Sequence, residues 1–325
     1  MSHIHFTKET RIELAGFLRA GKNYSECGRL LGMNRSSILR EVEENKDPDG
    51  AYRGGSAHKR AMARRKNAKA PALKIENDRI LRRHIVRKLK LLWSPEQIAG
   101  RLKRMTGRTI ICHETIYTFV YEKRPDLIKY LRRQKNKYRR KRGTKARLYQ
   151  AKALQIRRIG ERPPVVETRT RVGDWEGDTV VGKEKTQRIL TYVERKSGMA
   201  IAEKLSVVSA EIVEKRSEVL FRAVPSRARL TLTRDNGAEF GDYDQLLEKR
   251  TGMDVYRATP YRSSERGTNE NWNGLLRQFF PKGTFFATIT NDQVQQAVRL
   301  LNNRPRKRLG YRTPREVFRE CCDSD

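Results

Sequence analysis

Asp178, Asp235 and Glu270 stand in three distinctive settings: Asp174-Trp-Glu-Gly-Asp-Thr, Thr233-Arg-Asp-Asn-Gly and Arg266-Gly-Thr-Asn-Glu-Asn. Carboxylates gathered at one point push one another toward protonation, and divalent cations between them remove that penalty. Two such cations about 3.5–4 Å apart suit in-line attack on a phosphodiester. Each acid also has a plainer reading. Asp-Asn-Gly is a common turn sequence, Asp178 can be a surface strand residue, and Glu270 can pair with a neighbouring arginine. Asp174, Glu176, Glu239 and Glu265 compete for the same roles. The three contexts together, in this order and spacing, are more specific than any one.

The remaining composition supplies what such a centre acts on. The 325 residues include 72 Lys and Arg against 38 Asp and Glu, a net charge of +34. Self-repulsion on that scale is relieved by a polyanion, and nucleic acid is the usual one. No window of about 18 apolar residues points to a membrane span, and the first residues lack the apolar stretch of a secretion signal. Cys27, Cys112, Cys321 and Cys322 have neither zinc-ligand spacing nor the look of a disulfide framework. A soluble, cytoplasmic, nucleoid-associated protein is expected, with no membrane partner.

The elements that must position the acids fall in the second half of the chain. Strand-like stretches occur at 173–181, 188–194 and 199–205, the last two joined by the turn Lys196-Ser-Gly. A helix over 210–224, a strand over 229–233, a helix over 242–251 and a strand over 254–258 follow. Further helices are expected at 268–280, 293–303 and 315–320. Three strands and then alternating helices and strands describe a mixed sheet with helices on its faces. In the helix carrying Glu270, Trp272, Leu275, Leu276 and Phe279 form one buried face, while Glu270, Asn273 and Arg277 share the opposite one.

The first half reads as DNA-binding. Residues 1–50 form a first helix-turn-helix, with Ile12, Ala15 and Leu18 inward on its first helix. Ser25 caps the second helix, which holds Leu30 and Leu31, and Asn34 caps the third. Arg35, Ser36, Ser37 and Arg40 of the third helix are the candidate groove contacts; a generic three-helix bundle is the bland alternative. Residues 51–90 are a basic, partly helical linker. A second module spans 91–125, opened by the helix start Ser94-Pro-Glu-Gln, and its last helix offers His113 and Thr115. Residues 126–168 form a second basic linker. Ten of the eighteen residues from Tyr130 to Arg147 are Lys or Arg, Arg139 and Arg140 among them, which suits tracking of phosphates. Residues 169–325 are the catalytic core, where Asn273 and Arg277 are further candidate DNA contacts.

The carboxyl-terminal half resembles the integrase catalytic core, the ribonuclease-H-like fold shared by retroviral integrases and DDE transposases. Trp175-x-x-Asp178-Thr looks like the first-strand motif, Asp235-Asn-Gly-x-Glu-Phe240 like the second, and the stretch from Pro260 to Asn273 like the third. Gly173-Asp-Trp-Glu-Gly-Asp-Thr, Glu265-Arg-Gly-Thr-Asn-Glu-Asn and Asn303-Arg-Pro-Arg-Lys-x-Leu-Gly-Tyr-x-Thr-Pro are closer still to the insertion-sequence family numbered thirty. The likeness covers nearly the whole chain, because that family also carries amino-terminal helix-turn-helix modules and a Ser-Pro-Glu-Gln-Ile segment. Cys112 departs from it, standing where a capping Ser is expected.

The resemblance implies an α+β multidomain protein, helix-turn-helix modules followed by the α/β core, acting as a DDE transposase. Its metal ligands would be Asp178, Asp235 and Glu270, with Mg2+ as cofactor and Mn2+ able to substitute. It would bind double-stranded DNA, both terminal inverted repeats and target, and cut and rejoin strands as a homodimer or larger homo-oligomer. A DNA-binding regulator with an inactive core and a general nuclease are the alternatives. Arg40→Ala is expected to lower discrimination for duplexes carrying the flanking repeats over random duplexes, by about 1–3 kcal/mol. Unchanged discrimination in a gel shift contradicts the groove-reading role.

Overall fold

The computed structural model describes residues 6–68, 73–132, 157–259 and 263–323, and the chain divides into two compact units, Met1–Arg82 and Arg83–Asp325. Among the described residues no helix is long and apolar enough to cross a membrane.

The first unit is built from α1 (Lys8–Arg19), α2 (Tyr24–Leu31), α3 (Arg35–Asn45) and α4 (Gly54–Ala68). Leu14, Cys27, Ile38 and Val42 make its core. Of the expected inward stripe of α1, Ala15 is buried and Leu18 packs on the core, but Ile12 is half exposed and Leu14 is buried in its stead. The cause is Arg11, which lies inside and donates to both oxygens of Glu41 at 2.8 and 3.0 Å, a buried ion pair that an apolar pattern does not reveal. Leu30 likewise points outward, and Cys27 fills the place beneath it. Asn23, not Ser25, caps α2, in a reciprocal box with Glu26. Asn34 occupies the cap of α3 but makes no side-chain cap bond. A Cβ on Gly28 would lie 2.6 Å from the Met33 carbonyl, so glycine permits the tight α2–α3 turn. α4, in the stretch read as linker, packs on α1 and α3 and donates from Arg64 to the Asn45 side chain at 2.8 Å.

Short helix α5 (Leu73–Asn77) and α6 (Arg79–Lys90) precede the second pair, α7 (Pro95–Thr106) and α8 (His113–Thr118). The Ser94/Gln97 capping box opens α7 as the sequence predicts. α8 is shorter than expected and continues as a wider turn over Phe119–Lys123. Cys112 sits at its cap without a cap bond, its Sγ 3.1 Å from Thr115 Oγ1 instead. α7 docks on the chain's last loop. Arg101 donates to both carboxylate oxygens of Glu316 at 2.6 and 2.9 Å, Lys307 meets Glu96 at 2.7 Å, and Tyr311 lies so close over Gly100 that no Cβ fits there.

Part of the stretch read as the second linker touches the sheet. Arg157–Glu167 runs beside the sheet, with Arg162 buried and donating to Thr233 Oγ1 at 2.7 Å, and α9 (Val165–Thr168) starts after the paired prolines. Five strands follow: β1 (Asp174–Val181), β2 (Arg188–Glu194), β3 (Ala200–Leu205), β4 (Thr231–Arg234) and β5 (Asp254–Arg257). Their order is β3-β2-β1-β4-β5. β1, β2 and β3 are an antiparallel meander, while β4 and β5 run parallel to β1, the topology of a ribonuclease-H-like sheet. Strand alternation sends Trp175, Leu190, Tyr192 and Leu232 to one face, under α10 (Ala210–Arg222), α11 (Asp244–Thr251) and α14 (Pro314–Asp323). Val180, Ile189 and Val193 go to the other, under α12 (Gly267–Leu276) and α13 (Asn291–Asn302).

Trp175 anchors the first layer. It is fully buried, donates Nε1–H to the Ala228 carbonyl at 2.8 Å, and has Phe221 and Phe318 edge-on. Trp175→Ala is expected to destabilise the core by about 3–5 kcal/mol in urea unfolding; a loss below about 1 kcal/mol contradicts this packing.

Candidate active site

Asp178 lies on the α12 face of β1, two residues beyond Glu176, which pairs in register with Thr233 of β4. Asp235 is likewise two residues beyond Thr233. Parallel pairing therefore sets Asp178, midway along β1, beside Asp235, just past the end of β4. Each is held in place. Asp178 Oδ1 accepts the Thr179 N–H at 2.8 Å, and its Oδ2 accepts the Asn273 amide at 2.9 Å. Asn273 in turn accepts from the Thr191 hydroxyl at 3.1 Å, so its donor end is aimed at the acid. Asp235 Oδ1 accepts the Gly237 N–H at 3.0 Å, and its carbonyl accepts Arg257 Nη1 at 2.8 Å. Arg257 also donates to the Gly241 carbonyl and to Asp244, which pins the whole turn.

The guanidinium of Arg266 stands between the two acids. Nη1 is 3.4 Å from Asp178 Oδ1 and Nη2 is 3.2 Å from Asp235 Oδ2. Burial pushes the Asp178 carboxyl up to about 6; Arg266 pulls against that, while Asp235 and Glu239 add to it. A carboxylate in this position is poised to gain from a stronger cation than Arg266.

Glu270 is placed differently. It lies four residues after Arg266 and three before Asn273 on α12, so helix spacing sets it beside two residues that contact Asp178. Its side chain is exposed, and among the described residues no three His, Cys, Asp or Glu side chains converge closely enough to enclose a metal ion. The structure thus gathers Asp178 and Asp235 around Arg266 and leaves Glu270 on the rim. Carboxylate oxygens with an adjoining amide are hard donors that suit Mg2+ or Mn2+. Arg266 demonstrates that the space between Asp178 and Asp235 accepts a cation.

The competing acids are engaged elsewhere. Asp174 binds Arg171 and the Thr231 hydroxyl. Glu176 is buried, pairs with Arg195 and accepts the Asn269 N–H at 2.8 Å. Glu239 pairs with Arg188 and accepts from Thr179 Oγ1, and Glu265 accepts the Thr259 N–H at 2.7 Å. Arg266 is the site residue that sequence reasoning passed over, although it stands inside the third motif.

Of the candidate DNA contacts, Arg35, Ser36, Ser37 and Arg40 are exposed on α3, His113 is exposed and Thr115 half-buried on α8. Arg139 and Arg140 lie outside the described residues. Asn273 donates to Asp178 and accepts from Thr191. Arg277 is half-buried and donates to the Val181 carbonyl at 2.8 Å.

No protein-family model matches the chain. It is similar over nearly its full length to curated proteins. The transposase for insertion sequence element IS4351 of Bacteroides fragilis is 38% identical, across 97% of this chain and 96% of that one. Transposase InsI for insertion sequence element IS30A of Escherichia coli is 35% identical over 97% of this chain and 83% of its own length. The transposase for IS1086 of Cupriavidus metallidurans is 32% identical over 89% and 87%. Among solved structures, the catalytic core domain of BIV integrase aligns with a TM-score of 0.38 and 23% identity, over 46% of this chain and 96% of that one.

A carboxyl whose folded pKa is raised gives stability at pH below its unfolded value and loses it as pH rises through the folded one. With Asp178 raised from 3.8 to about 6, the metal-free protein is expected to lose stability relative to Asp178→Asn as pH climbs from 4 to 7. Melting curves in chelator that keep a constant gap between the two proteins contradict the burial of that charge.

Proposed function

The chain belongs to the IS30-type insertion-sequence transposases, and on that premise we propose that Asp178, Asp235 and Glu270 are the acids with which it cuts and joins DNA. It is a DNA transposase, a metal-dependent polynucleotidyl transferase of the DDE type. The observation that carries the residue assignment is the cation-bridged pair Asp178–Arg266–Asp235. Two carboxylates, one on β1 and one just past the adjacent parallel β4, are separated by positive charge and have Glu270 on the neighbouring helical turn.

Asp178, Asp235 and Glu270 would hold Mg2+, with Mn2+ able to replace it. When bound, such cations lower the pKa of an attacking water or 3′-hydroxyl and stabilise the leaving oxygen. The protein's own groups do the rest. Asn273 keeps one oxygen of Asp178 turned into the site, and Arg257 fixes the backbone of Asp235, so neither acid needs to reorganise during the reaction. Arg266 is within the same site and offers N–H groups of the geometry that suits phosphate oxygens. The substrates are the terminal inverted repeats of the element and the target duplex. Two ends must be held together for joining, and a homodimer or larger homo-oligomer satisfies that.

Asp178→Asn is expected to bind end DNA as the wild type does while losing nicking by at least about a hundredfold, since metal stabilisation of the transition state amounts to several kcal/mol. Glu270→Gln is the sharper variant, because Glu270 lies on the rim. Nicking of labelled end DNA that survives either change in magnesium refutes that residue's assignment.

A further inference from the structure

On the flank of α12 opposite Glu270 and Asn273 lies a cavity of about 130 Å3 with no role in the chemistry above. The first turn of α12 (Gly267, Thr268), Trp272, and three arginines, Arg169, Arg306 and Arg308, line it. Liquid water occupies about 30 Å3 per molecule, so a tetrahedral oxyanion fits.

The lining is arranged for negative charge. Among the described residues none of the three arginines forms an ion pair with a carboxylate. Arg308 donates only to the Lys196 carbonyl at 2.6 Å, and Arg306 only weakly to the Leu301 carbonyl at 3.4 Å. Room for Arg308 is made by Gly198, where a Cβ would stand 2.7 Å from its Nη2. Burial, with Arg308 and Arg132 nearby, pushes Arg306 down to about 10. Glu194 and Glu176 offset the charge of Arg308 from a distance, and an anion bound among the arginines would offset it directly. Two more donors line it: among the described residues the Trp272 indole, 2% exposed, and the Thr268 hydroxyl have no hydrogen-bond partner. The opening turn of α12 adds the positive end of the helix dipole.

We propose that this cavity is a second DNA site, taking a backbone phosphate of the strand that also reaches the acids. The inference rests on the transposase reading and deepens it. The cavity and the acids are separated by about one helix diameter, roughly 10 Å, a distance that neighbouring nucleotides of one strand can bridge. A phosphate clamped here would fix which bond faces Asp178.

The test is duplex binding by the full chain as a function of salt, using a mixed-sequence duplex. Arg169→Gln and Arg308→Gln, both exposed positions, are each expected to reduce the slope of log K against log salt by about 0.9, the loss of one phosphate contact. Arg222→Gln, whose guanidinium pairs with Glu218 on α10, is expected to leave the slope at the wild-type value. Cavity variants that keep the wild-type slope, or a control that loses as much as they do, overturn the proposal while DNA binding itself stands. Inorganic phosphate that raises the melting temperature of the wild type, with duplex slopes unchanged in the cavity variants, assigns the cavity to a free anion and overturns it as well. A wild type that binds no duplex would remove the transposase reading along with this one.

Discussion

Asp178 and Asp235 are brought together by parallel strand pairing, and charges so placed need a cation between them. In this chain that cation is Arg266. The neighbouring elements serve this one constraint. β1 and β4 set the spacing of the acids, the residue just before α12 delivers the guanidinium, and Asn273 and Gly237 bind the two carboxylate oxygens it does not face, while Thr179 shares Asp178 Oδ1 with it. On the proposed assignment the arrangement suits a divalent cation, because a site that must separate two carboxylates by one positive group tolerates a better one.

Holding α12 against the sheet requires more than apolar packing. Trp272, Leu275 and Leu276 bury its inner stripe, but greasy side chains permit sliding. The register is set by Asn269, whose side chain donates to the Glu176 carbonyl at 2.7 Å while its N–H donates to the Glu176 carboxylate. Arg195 completes the charge on Glu176 at 2.9 Å. On the Asp235 side the equivalent role falls to Arg234, Arg257 and Asp244, a buried cluster that ties β4, β5 and the turn together. Buried groups of this kind are costly to break singly, because each removal strands a charge. They make the geometry of the two acids all-or-none.

Much of the core was legible in the sequence. The five strands, the hairpin turn at Lys196-Ser-Gly and the helices over the sheet follow from periodicity and capping residues, and the strand order is that of the resembled fold. What escaped was set by charge rather than by apolar pattern. Arg11 lies inside with Glu41, and Ile12 is left outside although Ala15 and Leu18 of the same stripe face the core. Arg162 is buried by Thr233, which pulls the residues before 169 onto the sheet. Arg266 was passed over because an arginine beside acids reads as a surface pair until strand pairing shows that both acids share it. Asn273, read as a DNA contact, hydrogen-bonds Asp178, a link that no sequence pattern signals. The motif from Asn303 to Pro314 carried resemblance but no role. In the structure it docks α7 through Tyr311 and Lys307 and supplies Arg306 and Arg308 to the basic cavity.

The central claim is that the cation between Asp178 and Asp235 can be exchanged for a metal that Glu270 joins. Anomalous scattering from crystals of the full chain grown with Mn2+ tests it most directly. The account predicts a peak bounded by oxygens of Asp178, Asp235 and Glu270, with the Arg266 guanidinium withdrawn from between the aspartates. Manganese bound elsewhere, with Arg266 still bridging the pair and Glu270 turned to solvent, contradicts it.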